Sequence, residues 1–118
     1  MKKELELLKE FNKKFKIDIP KKPGLISEER FLFRNKILLE ESSEYVVGAT
    51  KGDLENIAKE LTDILYVVYG TILEHGLEDK MDEIFEEVHR SNMSKDFSEF
   101  KMIKGEKYFK PDLKKILK

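Results

Sequence analysis

Two acidic motifs stand fifteen residues apart in this chain, and each carries carboxylates at a spacing of three. The first is Glu40-Glu41-Ser42-Ser43-Glu44 and the second is Glu60-Leu61-Thr62-Asp63. Residues three apart share a helix face, so Glu41 lies beside Glu44 and Glu60 beside Asp63. Gly52-Asp53 sits between the motifs and predicts a tight turn, which makes the two segments an αα-hairpin. Residues equally far from such a turn end up side by side. Glu41 and Asp63 are each eleven residues from Gly52, and Glu44 and Glu60 are each eight from it. The four carboxylates therefore fall at one level of the hairpin, roughly 12–16 Å from the turn at about 1.5 Å per residue.

The surroundings say what chemistry this would be. By helical projection Ile57, Ile64 and Val67 flank Glu60 and Asp63, while Ile37 and Tyr45 flank Glu41 and Glu44. These acids interrupt apolar faces. Clustered anions near a core require neutralisation, by protons, by basic partners or by a cation. A donor set of oxygens alone favours hard Mg²⁺ or Mn²⁺, and a chain with no Cys and two His has little material for zinc. A single Glu-x-x-Glu in a chain that is 40% charged is usually a solvated face. A matched pair across a turn, on apolar faces, points to a cation site instead.

The elements that must hold these residues follow from periodicity. Leu5, Leu8, Phe11 and Phe15 predict an amphipathic first helix over residues 2–15, with the two Phe as core, subunit contact or a stacking surface. Residues 16–26, with Pro20, Pro23 and Gly24, form a loop whose place before the acidic helix allows it to lie over the site. Ser27 caps a second helix that runs to about Ala49, with Glu28 and Glu29 in its first turn. Arg34 falls on the face of Glu41, where it balances the acids or reaches a phosphate. Thr50-Lys51-Gly52-Asp53 is the turn, and Asp53 caps a third helix to about Glu74 that ends at His75-Gly76. Its segment Ile64–Gly70 is nearly all apolar, which implies burial on more than one side and hence an oligomer in so short a chain. Met81, Ile84, Phe85 and Val88 predict a fourth helix over 78–91, with His89 a packed or surface residue. Beyond it Phe100, Met102, Ile103, Tyr108 and Phe109 suggest an irregular arm with a short hairpin at Gly105, and Pro111 can open a last short helix.

Composition bounds the rest. The 118 residues suit one all-α domain, 1–118, a four- to five-helix bundle with an irregular C-terminal arm that oligomerises through its central helices. Twenty-three basic and 24 acidic residues give a net charge of −1, which offers no general attraction to nucleic acid or an anionic membrane. No apolar run reaches the ~18 residues of a membrane span, and the first residues lack an apolar signal core. With no Cys, a cytoplasmic address is expected.

The acidic motif resembles that of the all-α nucleoside triphosphate pyrophosphohydrolases, the group of MazG, the dimeric dUTPases and phosphoribosyl-ATP pyrophosphohydrolase. Two downstream stretches sharpen the likeness. His89-Arg90-Ser91-Asn92-Met93-Ser94-Lys95 and Lys104-Gly105-Glu106-Lys107-Tyr108-Phe109-Lys110-Pro111 are similar to the polar stretch and tail of the phosphoribosyl-ATP pyrophosphohydrolase-like branch. The resemblance covers roughly residues 11–113. It implies hydrolysis of a nucleoside triphosphate between the α and β phosphates, giving a monophosphate and pyrophosphate. It also implies Mg²⁺, or Mn²⁺ in its place, on Glu41, Glu44, Glu60 and Asp63. Glu40 is then the candidate for activating water. Asn92, Lys95, Lys104, Tyr108 and Arg34 are candidates for the substrate, the tail acting on its own or a neighbouring subunit in a homodimer or homotetramer. The chain has one acidic hairpin rather than the two repeats of full-length MazG. No Walker-type loop is present, so metal and basic side chains must hold the phosphates.

Other readings remain. The substrate is phosphoribosyl-ATP in one. In another the chain is a helical dimeric interaction module without catalysis, its acids paired in salt bridges. That module needs basic partners beside Glu60 and Asp63, yet Lys59 points away from Glu60 and no Lys or Arg occurs from 60 to 79. A nucleic-acid binder using the Lys-rich tail ranks last, because Asp96, Glu99, Glu106 and Asp112 dilute its charge.

Overall fold

A computed structural model describes residues 1–98 and 101–118 of the chain. Glu99 and Phe100, which the sequence assigns to the arm, lie outside the described residues. Five helices follow in order: α1 (Lys2–Lys14), α2 (Glu28–Thr50), α3 (Leu54–Glu74), α4 (Met81–Met93) and α5 (Lys114–Leu117). The fold is all-α, and among the described residues the only β-type pairing is an isolated antiparallel bridge between Asp96 and Ile103. The chain packs as two compact units, Met1–Glu78 and Asp79–Lys118.

In the first unit, side-chain caps set both long helices. Ser27 accepts a hydrogen bond from Arg30 N at 3.1 Å, and Asp53 accepts one from Asn56 N at 3.1 Å. Gly52 turns the chain between them with φ of 68°, a left-handed conformation that suits glycine. The hairpin then zips at constant register. Gly48 meets Asn56, Arg34 meets Gly70, and Arg30 meets Glu74, and the members of each pair are equidistant from Gly52. The Arg34 guanidinium donates to Val67 O at 2.7 Å and to Thr71 Oγ1 at 2.9 Å, and pairs with Glu74 at 3.1 Å. Arg30 binds both Glu74 oxygens, at 2.5 and 2.9 Å. Helix α1 lies on α3 through Leu5, Leu8 and Leu73, with Tyr69 and Ile72 beside them. Phe11 packs edge-on against Tyr66 with centroids 5.3 Å apart, and tilts against Phe15 at 4.6 Å.

The 16–26 loop does not lie over the carboxylates. Gly24 N donates to His75 O at 2.9 Å, and His75 Nδ1 donates back to Gly24 O at 2.8 Å. A side chain on Gly76, whose φ is 66°, would come within 2.2 Å of Lys22 O. The loop is therefore clamped onto the C-terminal end of α3. His75 is twelve residues beyond Asp63, about 18 Å along the helix axis.

In the second unit, α4 starts at Met81 rather than 78, residues 78–80 forming a turn ahead of it, and its N-cap Lys80 makes no side-chain capping hydrogen bond. Ser91 and Ser94 tie the arm to α4. Ser91 Oγ donates to Phe109 O at 2.7 Å, and Phe109 N donates to Ser94 Oγ at 3.1 Å. Asp96 and Ile103 pair antiparallel ahead of Gly105, so Gly105 is not the turn of this pairing. Gly105 serves close approach instead of the turn: a Cβ there would fall within 1.7 Å of Asp96 Oδ2. The last helix begins at Lys114, so Pro111 precedes it and is not its first residue. Asp112 N instead donates to Glu87 at 2.8 Å.

Candidate active site

The hairpin register brings Glu41 opposite Asp63 and Glu44 opposite Glu60. One carboxylate oxygen from each of the four lies within 4.8 Å of the others. Ligands on one Mg²⁺ stand about 3.0 Å apart when adjacent and about 4.2 Å when opposed, at a metal–oxygen distance of ~2.1 Å, so side-chain rotations can draw oxygens already within 4.8 Å of one another onto a single ion. Glu60 is buried, Glu41 and Asp63 are half-buried, and Glu44 is exposed. Ile37, Tyr45, Ile57, Ile64 and Val67 are half-buried around them, the apolar setting their spacing implies.

This crowding has an electrostatic cost. Burial, the charge of Glu44 and a hydrogen bond with it, and the charges of Asp63 and Glu60 together push the Glu41 carboxyl up to about 7. Two carboxylate oxygens in the cluster, Glu41 Oε2 and Glu60 Oε2, are buried and have no hydrogen-bond partner. A buried acceptor without a partner is costly unless something unseen supplies one. The donors are all oxygen, they converge, and two of them lack partners. They fit a hard divalent cation.

Lys59, which helical spacing alone turns away from Glu60, reaches the carboxylates. Its Nζ lies 2.7 Å from Asp63 Oδ2 and 3.5 Å from Glu60 Oε1. Adjacent positions do point about 100° apart, but Lys59 and Asp63 are four apart on one face, and the long side chain also reaches Glu60. The carboxylates hold this ammonium above its ordinary range, with Asp63 first as hydrogen-bond acceptor and as charge. One ammonium does not satisfy four carboxylates, and the inner oxygens stay unpartnered.

Glu40 is exposed and sits outside the cluster, one step around α2. With Glu44 it lines a shallow groove that also includes Leu32, Lys36 and Leu39. Arg34 is not brought to the carboxylates; its guanidinium is committed to Val67, Thr71 and Glu74, and its side chain is only 11% exposed. The remaining candidates belong to the second unit. Asn92 is exposed near the end of α4, Lys95 is half-buried just after it, and Lys104 Nζ lies 5.2 Å over the Tyr108 ring.

Residues 8–92 match the phosphoribosyl-ATP pyrophosphohydrolase family. That is well over half of the chain. The chain belongs to the phosphoribosyl-ATP pyrophosphohydrolase family. It is thereby a member of the all-α nucleoside triphosphate pyrophosphohydrolase superfamily, and an enzyme of the pyrophosphohydrolase class acting on a nucleotide. No curated protein matches the chain. The family match takes in the whole acidic hairpin and ends at Asn92, so Lys95, Lys104 and Tyr108 lie beyond it. Divalent-metal dependence is typical of the phosphoribosyl-ATP pyrophosphohydrolase family, in keeping with a cluster whose donors are all carboxylate oxygens.

Proposed function

We propose that this chain hydrolyses a nucleoside triphosphate between its α and β phosphates, releasing a nucleoside monophosphate and pyrophosphate, with Mg²⁺ as its cofactor and Mn²⁺ as a substitute. The observation that carries this reading is the convergence of four carboxylates that leaves Glu41 Oε2 and Glu60 Oε2 buried without a partner. Glu41, Glu44, Glu60 and Asp63 hold the metal. Bound there, Mg²⁺ neutralises phosphate charge and polarises the reacting phosphoryl group. The protein itself fixes the four ligands on two rigid helices and excludes water from their inner oxygens. Glu40, exposed beside Glu44, orients and deprotonates the attacking water. Asn92, Lys95, Lys104 and Tyr108 bind phosphate and sugar. Arg34 has no part in this reading, because its donors are used between α2 and α3. The whole chain, 1–118, acts as one functional domain within a homodimer or homotetramer.

A second reading keeps the site and changes the nucleotide. The matched family takes its name from phosphoribosyl-ATP, which makes that compound the first alternative substrate. The interaction-module reading has gained Lys59 as a partner, but two inner carboxylate oxygens still lack one.

The test is pyrophosphate release from ribo- and deoxyribonucleoside triphosphates and from phosphoribosyl-ATP, in Mg²⁺ and in EDTA. The wild type is expected to release it only with metal, and Glu60→Ala to lose at least ~100-fold in rate, the scale of one catalytic group. Release that persists in EDTA, or in Glu60→Ala, would sink the proposal.

A further inference from the structure

Helix α3 carries a single basic residue, Lys59, and its ammonium sits on the carboxylate cluster. Its side chain is 66% exposed, whereas that of Glu60 beneath it is 7% exposed. Lys59 therefore covers Asp63 Oδ2 and Glu60 Oε1 from the solvent side and leaves the inner oxygens Glu41 Oε2 and Glu60 Oε2 without a partner.

Two features limit what this ammonium does. An exposed i,i+4 ion pair is weak, so it does not lock Asp63 against a dication that binds several carboxylates at once. Neither does it compensate the cluster, because a single positive charge faces as many as three or four negative ones. It is a partial and replaceable stand-in. A polyanion reaching the carboxylates comes from the same solvent side and meets Lys59 at the rim. No glycine-rich loop exists to cradle phosphates in this chain, so basic side chains must help to hold them, and the Lys59 ammonium already stands beside the metal ligands.

We propose that Lys59 is the site's own counter-ion: it holds Asp63 and Glu60 in the metal-free protein, gives them up to the incoming metal, and then pairs with the polyphosphate of the substrate. This rests on the metal-dependent reading above. It gives Lys59 two roles of opposite sign, a competitor of the metal and an ally of the phosphates. A purely structural helix pair has neither.

The experiment uses the full chain as wild type, Lys59→Gln and Lys59→Arg. Mn²⁺ is titrated calorimetrically without nucleotide, and then pyrophosphate is titrated at saturating Mg²⁺. Lys59→Gln is expected to bind Mn²⁺ about two- to fivefold more tightly, the range set by one exposed ion pair. It is expected to bind pyrophosphate more weakly by a similar factor, while Lys59→Arg stays near wild type in both titrations. Mn²⁺ affinity that is unchanged or weaker in Lys59→Gln overturns the proposal, as does unchanged pyrophosphate affinity. A lowered melting temperature in EDTA with neither titration altered assigns Lys59 to helix stability alone and also overturns it. Wild type that takes up no Mn²⁺ overturns the metal reading itself, an outcome distinct from the others.

Discussion

In an ordinary solvated setting Glu41 releases its proton near pH 4.5; in the folded chain burial and the surrounding acids hold that proton until about 7. Between these values the folded state binds the extra proton, so its stability falls as pH rises through the window. Metal-free protein in EDTA is therefore expected to melt at a higher temperature at pH 5 than at pH 8, and Glu41→Gln to flatten that slope. Glu87 does not blur the measurement. Its carboxyl is lowered to about 2 by Arg90 and the Asp112 amide, so its stabilising contribution is lost only as pH falls from about 4.5 towards 2. Saturating Mg²⁺ is expected to remove the preference for pH 5, since the metal binds the ionised cluster. At this scale the sequence was informative about the acids and less so about their neighbours. Equal distance from Gly52 is arithmetic, and a stiff hairpin carries it into space. Lys59 was misjudged because a long, flexible side chain goes where charge takes it, not where its Cβ points.

Between the helices, the register rests on buried polar contacts that periodicity does not show. Arg34 reads from sequence as a counter-charge to the acids or a phosphate ligand, since it shares a face with Glu41. Gly70 lets it do something else. A Cβ there would stand 2.6 Å from Arg34 Nη2, the atom that donates to Val67 O at 2.7 Å. Gly70→Ala tests which effect dominates. Helix propensity alone favours Ala by about 0.8–1 kcal/mol. A displaced charged hydrogen bond costs about 1.5–3 kcal/mol. The variant is therefore expected to be destabilised by roughly 1–2 kcal/mol in urea unfolding, despite its better helix former. Helix existence was legible because the caps at Ser27 and Asp53 and the apolar spacing agree. The 16–26 loop was not, because its path is decided by one reciprocal contact between Gly24 and His75, fifty-one residues away.

Across the first unit the core is small. Among the described residues Leu5, Leu8 and Leu73 are the only buried large apolar side chains of the chain. Meanwhile Leu32, Leu39 and Val46 form a stripe of period seven along α2, and they are 54%, 58% and 57% exposed. Leu54, Leu61 and Leu65 on α3 are 77%, 46% and 51% exposed. A second copy of the chain is the occupant we expect, and magnitudes decide how much of it is needed. Fully burying such a side chain is worth about 1.5–3 kcal/mol, so covering the exposed halves of the α2 stripe on two copies gives roughly 5–9 kcal/mol. A micromolar dimer needs about 8 kcal/mol net, after association costs of at least ~4 kcal/mol. The α2 stripe alone falls short, and α3 must be covered in the same interface. Light scattering is therefore expected to give wild type at least twice the 13.9 kDa chain mass. Leu39→Glu and Leu65→Glu, on different helices, should each shift it to the monomer. Loss of assembly in only one of them would confine the interface to a single helix. Leu39 lines the groove of Glu40 and Glu44, so an interface over α2 runs beside the carboxylates. Assembly and activity of the wild type are then expected to fall together as the protein is diluted, and both to be low in Leu39→Glu at every concentration.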